Sequence, residues 1–325
     1  MDKHPMLETI DPELVERLVD HKHEIERGTT SRGGVATAIV LGSVPIALAA
    51  LSRSAYGQSA IDPAIKSVLD FALALEIFEN EFYKAVLGTS ASATQNNAFA
   101  TVRAAAAGVP GAVATLTQIQ KHEAAHVATL QSLGATNVFS LDATKFDFTG
   151  ARGAGNGPFA KATTDLAFLL EVAQGAEDTG VRAYKGQAGN LMSNAAVLEG
   201  ALRIHSVEAR HAARIRRMRR AVAGASDTVR FSGTVRGGGA AAAGATDLGT
   251  QAAMVTAAFN AIYGAGADAA SAPSEANVTH AGVNVSSLTL ASSFGAEAAQ
   301  EAFDEPLARA DVVAIVQPFF IPTIS

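Results

Sequence analysis

The sequence predicts an all-α protein whose central part is a four-helix bundle with one long crossover between its second and third helices. Four segments have the apolar periodicity and alanine content of long helices. Two of them each carry a Glu-x-x-His motif, and the other two each carry a glutamate seven residues before a tyrosine. Residues 135–164, between the second and third segments, are rich in glycine, phenylalanine and aspartate and are long enough for a crossover.

The first half of the bundle begins with a helix that has clear start signals. Asp62 is placed to cap this helix, and Pro63 suits its first position. A polar loop through Asn97 and a short helix ending near Gly108 are expected next. The second long helix then runs to Gly134.

The second half consists of a third helix over residues 165–189 and a fourth over residues 193–220, both indicated by period and alanine content. Six arginines crowd the end of the fourth helix. Solvation and favourable interaction with the helix C-terminus are the expected reasons for them. These residues are Arg210, Arg214, Arg216, Arg217, Arg219 and Arg220.

The two Glu-x-x-His motifs predict a metal site. Residues three apart project from one face of a helix, so each motif directs a carboxylate and an imidazole to a common point. A single motif of this kind is common on the surface of an alanine-rich helix, but here both halves of the bundle have a complete set. One such element per helix makes a dinuclear carboxylate centre, and the alternative is a metal-free bundle that retains these positions. The predicted metal ligands are Glu76, Glu123, His126, Glu177, Glu208 and His211.

Two other glutamates compete for the ligand roles on the first and third helices. Glu79 is the rival of Glu76, and Glu171 is the rival of Glu177. Glu76 and Glu177 are preferred because only they share the seven-residue spacing to a tyrosine.

Tyr83 and Tyr184 are the predicted catalytic residues. Each lies two helical turns from a ligand on the same face, where it could donate a hydrogen bond to a carboxylate or relay an electron. The alternative is an aromatic side chain packed in the core with its hydroxyl satisfied. His122 and His205 are expected to support the site from outside the ligand set or to lie on the surface.

The amino-acid composition limits the kinds of metal site and partner that the chain can have. The chain has 325 residues, of which 48% are hydrophobic, so it has ample material for a core. No cysteine is present, which excludes thiolate metal sites and iron–sulfur clusters. Carboxylate and imidazole ligands suit two iron or manganese ions, with O2 or peroxide as the small-molecule substrate. A net charge of -6 and a pI near 5.8 argue against a nucleic-acid partner.

Residues 1–57 are interpreted as an N-terminal helix followed by a signal peptide or a membrane anchor. Residues 33–51 contain no charge, and the small residues Ala55 and Gly57 suit cleavage after Gly57. The acidic segment before the uncharged run, and the length of that run, keep a retained anchor open as the alternative. An exported protein of the periplasm or cell envelope is expected.

Residues 58–222 form the predicted bundle domain, and residues 223–325 form a largely irregular extension rich in glycine, alanine and serine. Helices are expected within this extension at residues 250–263 and 296–303. Residues 306–320 are apolar enough to dock on the bundle. Such a covering segment could shield the site or mediate assembly into a homo-oligomer.

Four stretches around the motifs resemble the ferritin-like domain of exported bacterial proteins related to the plant desiccation-related proteins. They are residues 75–83, 122–127, 177–187 and 204–212. Residues 301–307 and 312–319 are similar to the C-terminal segment of that group. The resemblance implies a ferritin-like fold and a metal site.

Two functions from different classes are consistent with these patterns. The first is a metal-dependent oxidoreductase that oxidises Fe(II) or reduces O2 or peroxide in stress protection. The second is a non-enzymatic envelope or desiccation-stress protein built on the same scaffold. Iron storage in a closed cage is a third, and the extension and the export signal count against it.

Overall fold

The computed structural model describes residues 61–222, 252–288, 300 and 302–324. The predicted N-terminal segment of residues 1–57 lies outside these residues, as does most of the expected helix at 296–303. The all-α prediction is confirmed, because the described residues contain eight α-helices and one short β-hairpin. Up to residue 222 the helices are α1 (Pro63–Leu87), α2 (Ala93–Ala98), α3 (Ala100–Ala107), α4 (Ala112–Ser132), α5 (Leu166–Gln187) and α6 (Ala195–Val222).

The ends of the long helices follow the local sequence. The side chain of Asp62 accepts a hydrogen bond from the Ala64 amide at 2.7 Å, and Pro63 follows it at the start of α1. Gly88 ends α1 in the left-handed region, with φ of 78°, which glycine adopts at little cost. Asp165 caps α5 by accepting from the Phe168 amide at 3.1 Å.

The expectation of a polar loop through Asn97 is wrong, since residues 93–98 form α2. The side chain of Ser92 accepts a hydrogen bond from the Gln95 amide at 3.3 Å and so caps this short helix. The polar side chains of residues 93–98 correctly indicated an exposed segment. That segment is nevertheless a helix and not a loop.

The bundle consists of two antiparallel pairs, α1 with α4 and α5 with α6. In the first pair, the Thr136 amide donates to Asp70 Oδ1 at 2.7 Å just past the end of α4, while Gln120 Nε2 donates to Asn80 Oδ1 at 2.9 Å. The residue numbers of the contacts rise along α1 as they fall along α4, so the two helices are antiparallel. Residues 133–165 connect the two pairs, as the predicted crossover requires.

An aromatic cluster joins the crossover to the end of the chain and to α1. The ring of Phe78 in α1 lies within 5.5 to 5.8 Å of the rings of Phe146, Phe148, Phe319 and Phe320. Main-chain hydrogen bonds join the same segments, from the Asp147 amide to the Phe319 carbonyl at 2.8 Å. The chain end thus packs over the bundle beside the helix that carries Glu76.

The described part of the extension contains two helices and a hairpin. The helix expected at residues 250–263 is observed as α7 (Ala252–Tyr263), and α8 (Arg309–Val316) lies within the apolar segment 306–320. Strands β1 (Thr279–His280) and β2 (Val283–Asn284) pair antiparallel. No helix among the described residues is both long and apolar enough to cross a membrane.

Arg182 connects this extension to α5. It is 1% exposed, and its Nε lies 3.1 Å from Glu275 Oε1 in the extension. Its guanidinium also donates hydrogen bonds to five main-chain carbonyls of the extension. These belong to Ile262, Gly264, Pro273, Glu305 and Pro306.

Candidate metal centre

The four long helices bring the six predicted ligands together in the interior of the bundle. Helix α1 supplies one glutamate, α5 supplies another, and α4 and α6 each supply a glutamate and a histidine. All six side chains are buried, and none is more than 4% exposed. They are Glu76, Glu123, His126, Glu177, Glu208 and His211.

The first set of donor atoms is centred on His126. Its Nδ1 lies 3.1 Å from Glu76 Oε2, 3.0 Å from Glu123 Oε2 and 2.8 Å from Glu208 Oε1. One ligand atom from each of these four residues lies within 4.8 Å of the others. This spacing can accommodate one metal ion.

The second set is centred on His211 and reuses two of the same glutamates. His211 Nδ1 lies 2.8 Å from Glu123 Oε1, 3.2 Å from Glu177 Oε2 and 3.8 Å from Glu208 Oε2. Its four donor atoms also lie within 4.8 Å of one another. Glu123 and Glu208 each direct one oxygen toward each histidine, so the two donor sets share both carboxylates.

Several carboxylate oxygens in this cluster have no hydrogen-bond partner among the described residues. Glu123 Oε1 and both carboxylate oxygens of Glu208 are buried without a hydrogen-bond partner. A histidine nitrogen lies 2.8 Å from Glu123 Oε1 and another lies 2.8 Å from Glu208 Oε1, but without the geometry of a hydrogen bond, and Glu208 Oε2 is 3.8 Å from His211 Nδ1. Buried carboxylate oxygens without donors are costly unless a cation balances them, so these buried groups can hold metal ions.

The pKa shifts of the glutamates in this cluster also indicate that it can hold cations. Burial raises the pKa of Glu76 from its usual 4.5 to about 8, against the attraction of His126. Burial also raises the pKa of Glu177 well above its usual range, against the attraction of His211. Burial opposes ionisation of Glu208, yet His126 and His211 together hold its pKa well below its usual range. Some carboxylates therefore ionise here only at a cost, which bound cations would remove.

The histidine charges depend on these carboxylates. Burial disfavours the charged form of His211, but the surrounding carboxylates, Glu177 first, raise its pKa to about 12. Burial opposes the charged form of His126 as well, and Glu76 and Glu123 raise its pKa well above the usual range. Metal binding at these nitrogens must therefore displace protons.

The two tyrosines pair with glutamates across the bundle. Tyr184 Oη in α5 donates to Glu76 Oε1 in α1 at 2.6 Å, and Tyr83 Oη in α1 donates to Glu177 Oε1 in α5. Sequence spacing placed each tyrosine near the glutamate of its own helix, whereas each hydroxyl bonds the glutamate of the other half. Burial raises the pKa of both phenols well above the usual range, so both remain protonated donors.

His122 and His205 occupy different surroundings. His122 Nδ1 lies 2.9 Å from His211 Nε2, the nitrogen that faces away from the carboxylates, and the two rings stack 5.1 Å apart. His205 instead places its Nδ1 3.0 Å from the Val181 carbonyl. Of these two histidines, only His122 contacts a predicted ligand through its ring among the described residues.

The two rival glutamates have different roles. Glu171 pairs with Arg219 Nη2 at 2.8 Å, away from the donor sets. Arg219 also donates to Gln174 Oε1 at 2.7 Å and is only 6% exposed. The expectation that solvation accounts for the arginines of α6 is therefore wrong for Arg219, which neutralises a buried carboxylate on the neighbouring helix. Glu79 is buried beside the donor sets, a position that sequence reasoning treated only as competition for Glu76.

Residues 66–221 match the model of a family described as a ferritin-like domain. This range includes nearly all of the four long helices of the bundle and all six candidate ligands. Searches of curated proteins and of solved structures gave no significant match.

Proposed function

We propose, since the chain contains a ferritin-like domain over residues 66–221, that this domain binds two iron or manganese ions and oxidises Fe(II) or reduces O2 or peroxide. The observation that carries the proposal is the pair of four-residue donor sets that share Glu123 and Glu208. A pair of adjacent redox ions supplies two electrons at one place, which reduction of O2 to peroxide or of peroxide to water requires.

The six side chains of the two donor sets would coordinate these ions, some as shared ligands and some as ligands of one position. Glu123 and Glu208 would be shared by the two positions, and one further glutamate and one histidine would complete each of them. Oxygen and imidazole ligands suit iron and manganese, and the chain offers no thiolate that would favour softer metals. The buried position of all six side chains limits access of bulk water to the centre.

Tyr83 and Tyr184 would fix the orientation of the terminal glutamates. Their hydroxyls donate to Glu177 Oε1 and Glu76 Oε1, while Oε2 of each glutamate remains close to a histidine. Each carboxylate is therefore held with one oxygen toward the donor set. The same position, just outside the ligand set, suits a phenol that relays an electron.

We further propose that the protein acts in stress protection in the periplasm or cell envelope. The uncharged run at residues 33–51 supports export or membrane anchoring, and the resemblance to exported proteins supports the location. The extension covers α5 and the aromatic cluster on α1, a surface consistent with shielding of the site or with assembly into a homo-oligomer.

An oxygen-consumption assay tests the enzymatic proposal. Protein loaded anaerobically with Fe(II) is expected to consume O2 or peroxide faster than the same concentration of free Fe(II). Glu123→Ala should abolish the difference because it removes a bridging ligand from both positions. Tyr83→Phe and Tyr184→Phe should change the rate or its radical signals without unfolding the bundle. Metal binding with no turnover above free metal would refute the enzyme and favour the scaffold function.

A further inference from the structure

Helices α1 and α5, which each carry one glutamate of the metal centre, are related by a constant offset in the sequence. The offset of 101 residues that takes Glu76 to Glu177 also takes Tyr83 to Tyr184. The same offset takes Glu79 to Gly180. Ligand and tyrosine are thus repeated in α1 and α5, whereas the position between them is a carboxylate in one half and has no side chain in the other.

Glu79 and Gly180 lie opposite each other in the fold. A Cβ atom at residue 180 would lie 3.5 Å from Glu79 Oε1 and 3.6 Å from Glu208 Oε2. These are ordinary contact distances, so alanine would fit there, and Gly180 lies within regular helix where glycine is disfavoured. Gly180 therefore leaves space beside the carboxylates of Glu79 and Glu208. The position in α1 that corresponds to Gly180 is Glu79 itself.

The carboxyl group of Glu79 lacks partners in the described part of the chain. It is 3% exposed and takes part in no hydrogen bond or ion pair among these residues. Glu76 and Glu177, by contrast, each accept a hydrogen bond from a tyrosine. A buried carboxylate without a donor or a cation is costly, so its position beside the donor sets points to a bound cation.

Glu79 Oε1 lies near an oxygen of the His211 side of the centre. The position of a Cβ at residue 180 is close to both Glu79 Oε1 and Glu208 Oε2, and Glu208 Oε2 belongs to the His211 side, whereas Glu208 Oε1 belongs to the His126 side. Burial raises the pKa of Glu79 well above its usual range, and Glu208 and Glu177 contribute more to this than Glu76 does.

We propose that Glu79 is a seventh ligand, added to the metal position of Glu177, Glu208 and His211, so that the two metal positions are chemically inequivalent. This inference rests on the proposed function, since it requires two bound ions. One position has five protein ligands and the other has four. The position with the additional carboxylate binds a divalent cation more tightly and fills first.

Titration of the chelator-treated full chain with Mn²⁺ alone, followed by the electron paramagnetic resonance signal of free Mn²⁺, tests this inference. The wild type is expected to bind two ions in two resolved steps. Glu79→Gln should still bind two ions, but with the tighter step weakened by about tenfold or more. Glu81→Gln is the matched control, because Glu81 lies on another face of α1 and pairs with Lys84 at 2.7 Å. It should leave both steps unchanged.

Gly180→Ala provides a second variant that keeps every charge and fills only the space between Glu79 and Glu208. It should also weaken the tighter step while the thermal unfolding of the metal-free protein is unchanged or raised, as expected for alanine in a helix. Two equal binding steps in the wild type, or unchanged steps in Glu79→Gln, would overturn the inference and leave the dimetal site standing. Failure of the wild type to bind Mn²⁺ at all would overturn both.

Discussion

Replacement of Arg182 by methionine tests how the extension is held on the helix that carries Glu177. Methionine is unbranched and flexible enough to fill most of the space, so the main loss is electrostatic. Arg182 and its partner Glu275 are 1% and 2% exposed, and removal of one member of such a buried pair costs about 3–5 kcal/mol. Several main-chain carbonyls of the extension also lose their donor. We therefore expect the free energy of unfolding to fall by about 3–5 kcal/mol.

Urea denaturation measures this loss, and Arg203→Met is the matched control. Arg203 pairs with Glu199 at 2.6 Å, but both side chains are about half exposed, so the control should lose only about 0.2–1 kcal/mol. Hydrogen exchange should become faster in α7 of the Arg182 variant before it does so in α1. Equal losses in the two variants, or unchanged exchange in α7, would refute the conclusion that Arg182 fastens the extension.

Two further predictions concern the metal centre itself. His122→Ala should lower metal affinity by about 10–100-fold, since it removes the contact to His211 Nε2, while His205→Ala should not; equal affinities in a metal titration would contradict this. The metal-free protein should lose stability as pH rises from about 4.5 toward about 8, because folded Glu76 keeps a proton that the unfolded chain releases. Glu76→Gln should flatten this part of the pH profile in thermal melts, and an unchanged slope would contradict the assignment.

Helical periodicity accounts for most of what the sequence predicted correctly. Residues three or seven apart share a helix face whatever the tertiary packing, so Glu123 and His126 could be placed together without knowledge of the other helices. These elements follow in the same order in the two halves, which then indicated one shared centre. The structure brings all six candidates into two overlapping donor sets.

Contacts between distant segments could not be predicted in this way. The tyrosines bond glutamates on the opposite half because α1 and α5 meet side by side, which spacing within one helix does not reveal. Arg219 similarly pairs with Glu171 on a neighbouring helix rather than with solvent. One missed signal was present in the sequence, since the common offset of α1 and α5 sets Glu79 against Gly180.

Metal content per chain is the most direct test of the central claim that the bundle holds a dinuclear centre. After reconstitution with iron or manganese and removal of loosely bound ions, elemental analysis should find about two ions per wild-type chain. Glu123→Ala and His211→Ala should each abolish the pair, whereas the exposed control Glu199→Ala should retain it. Substantially less than one ion per wild-type chain would contradict the account.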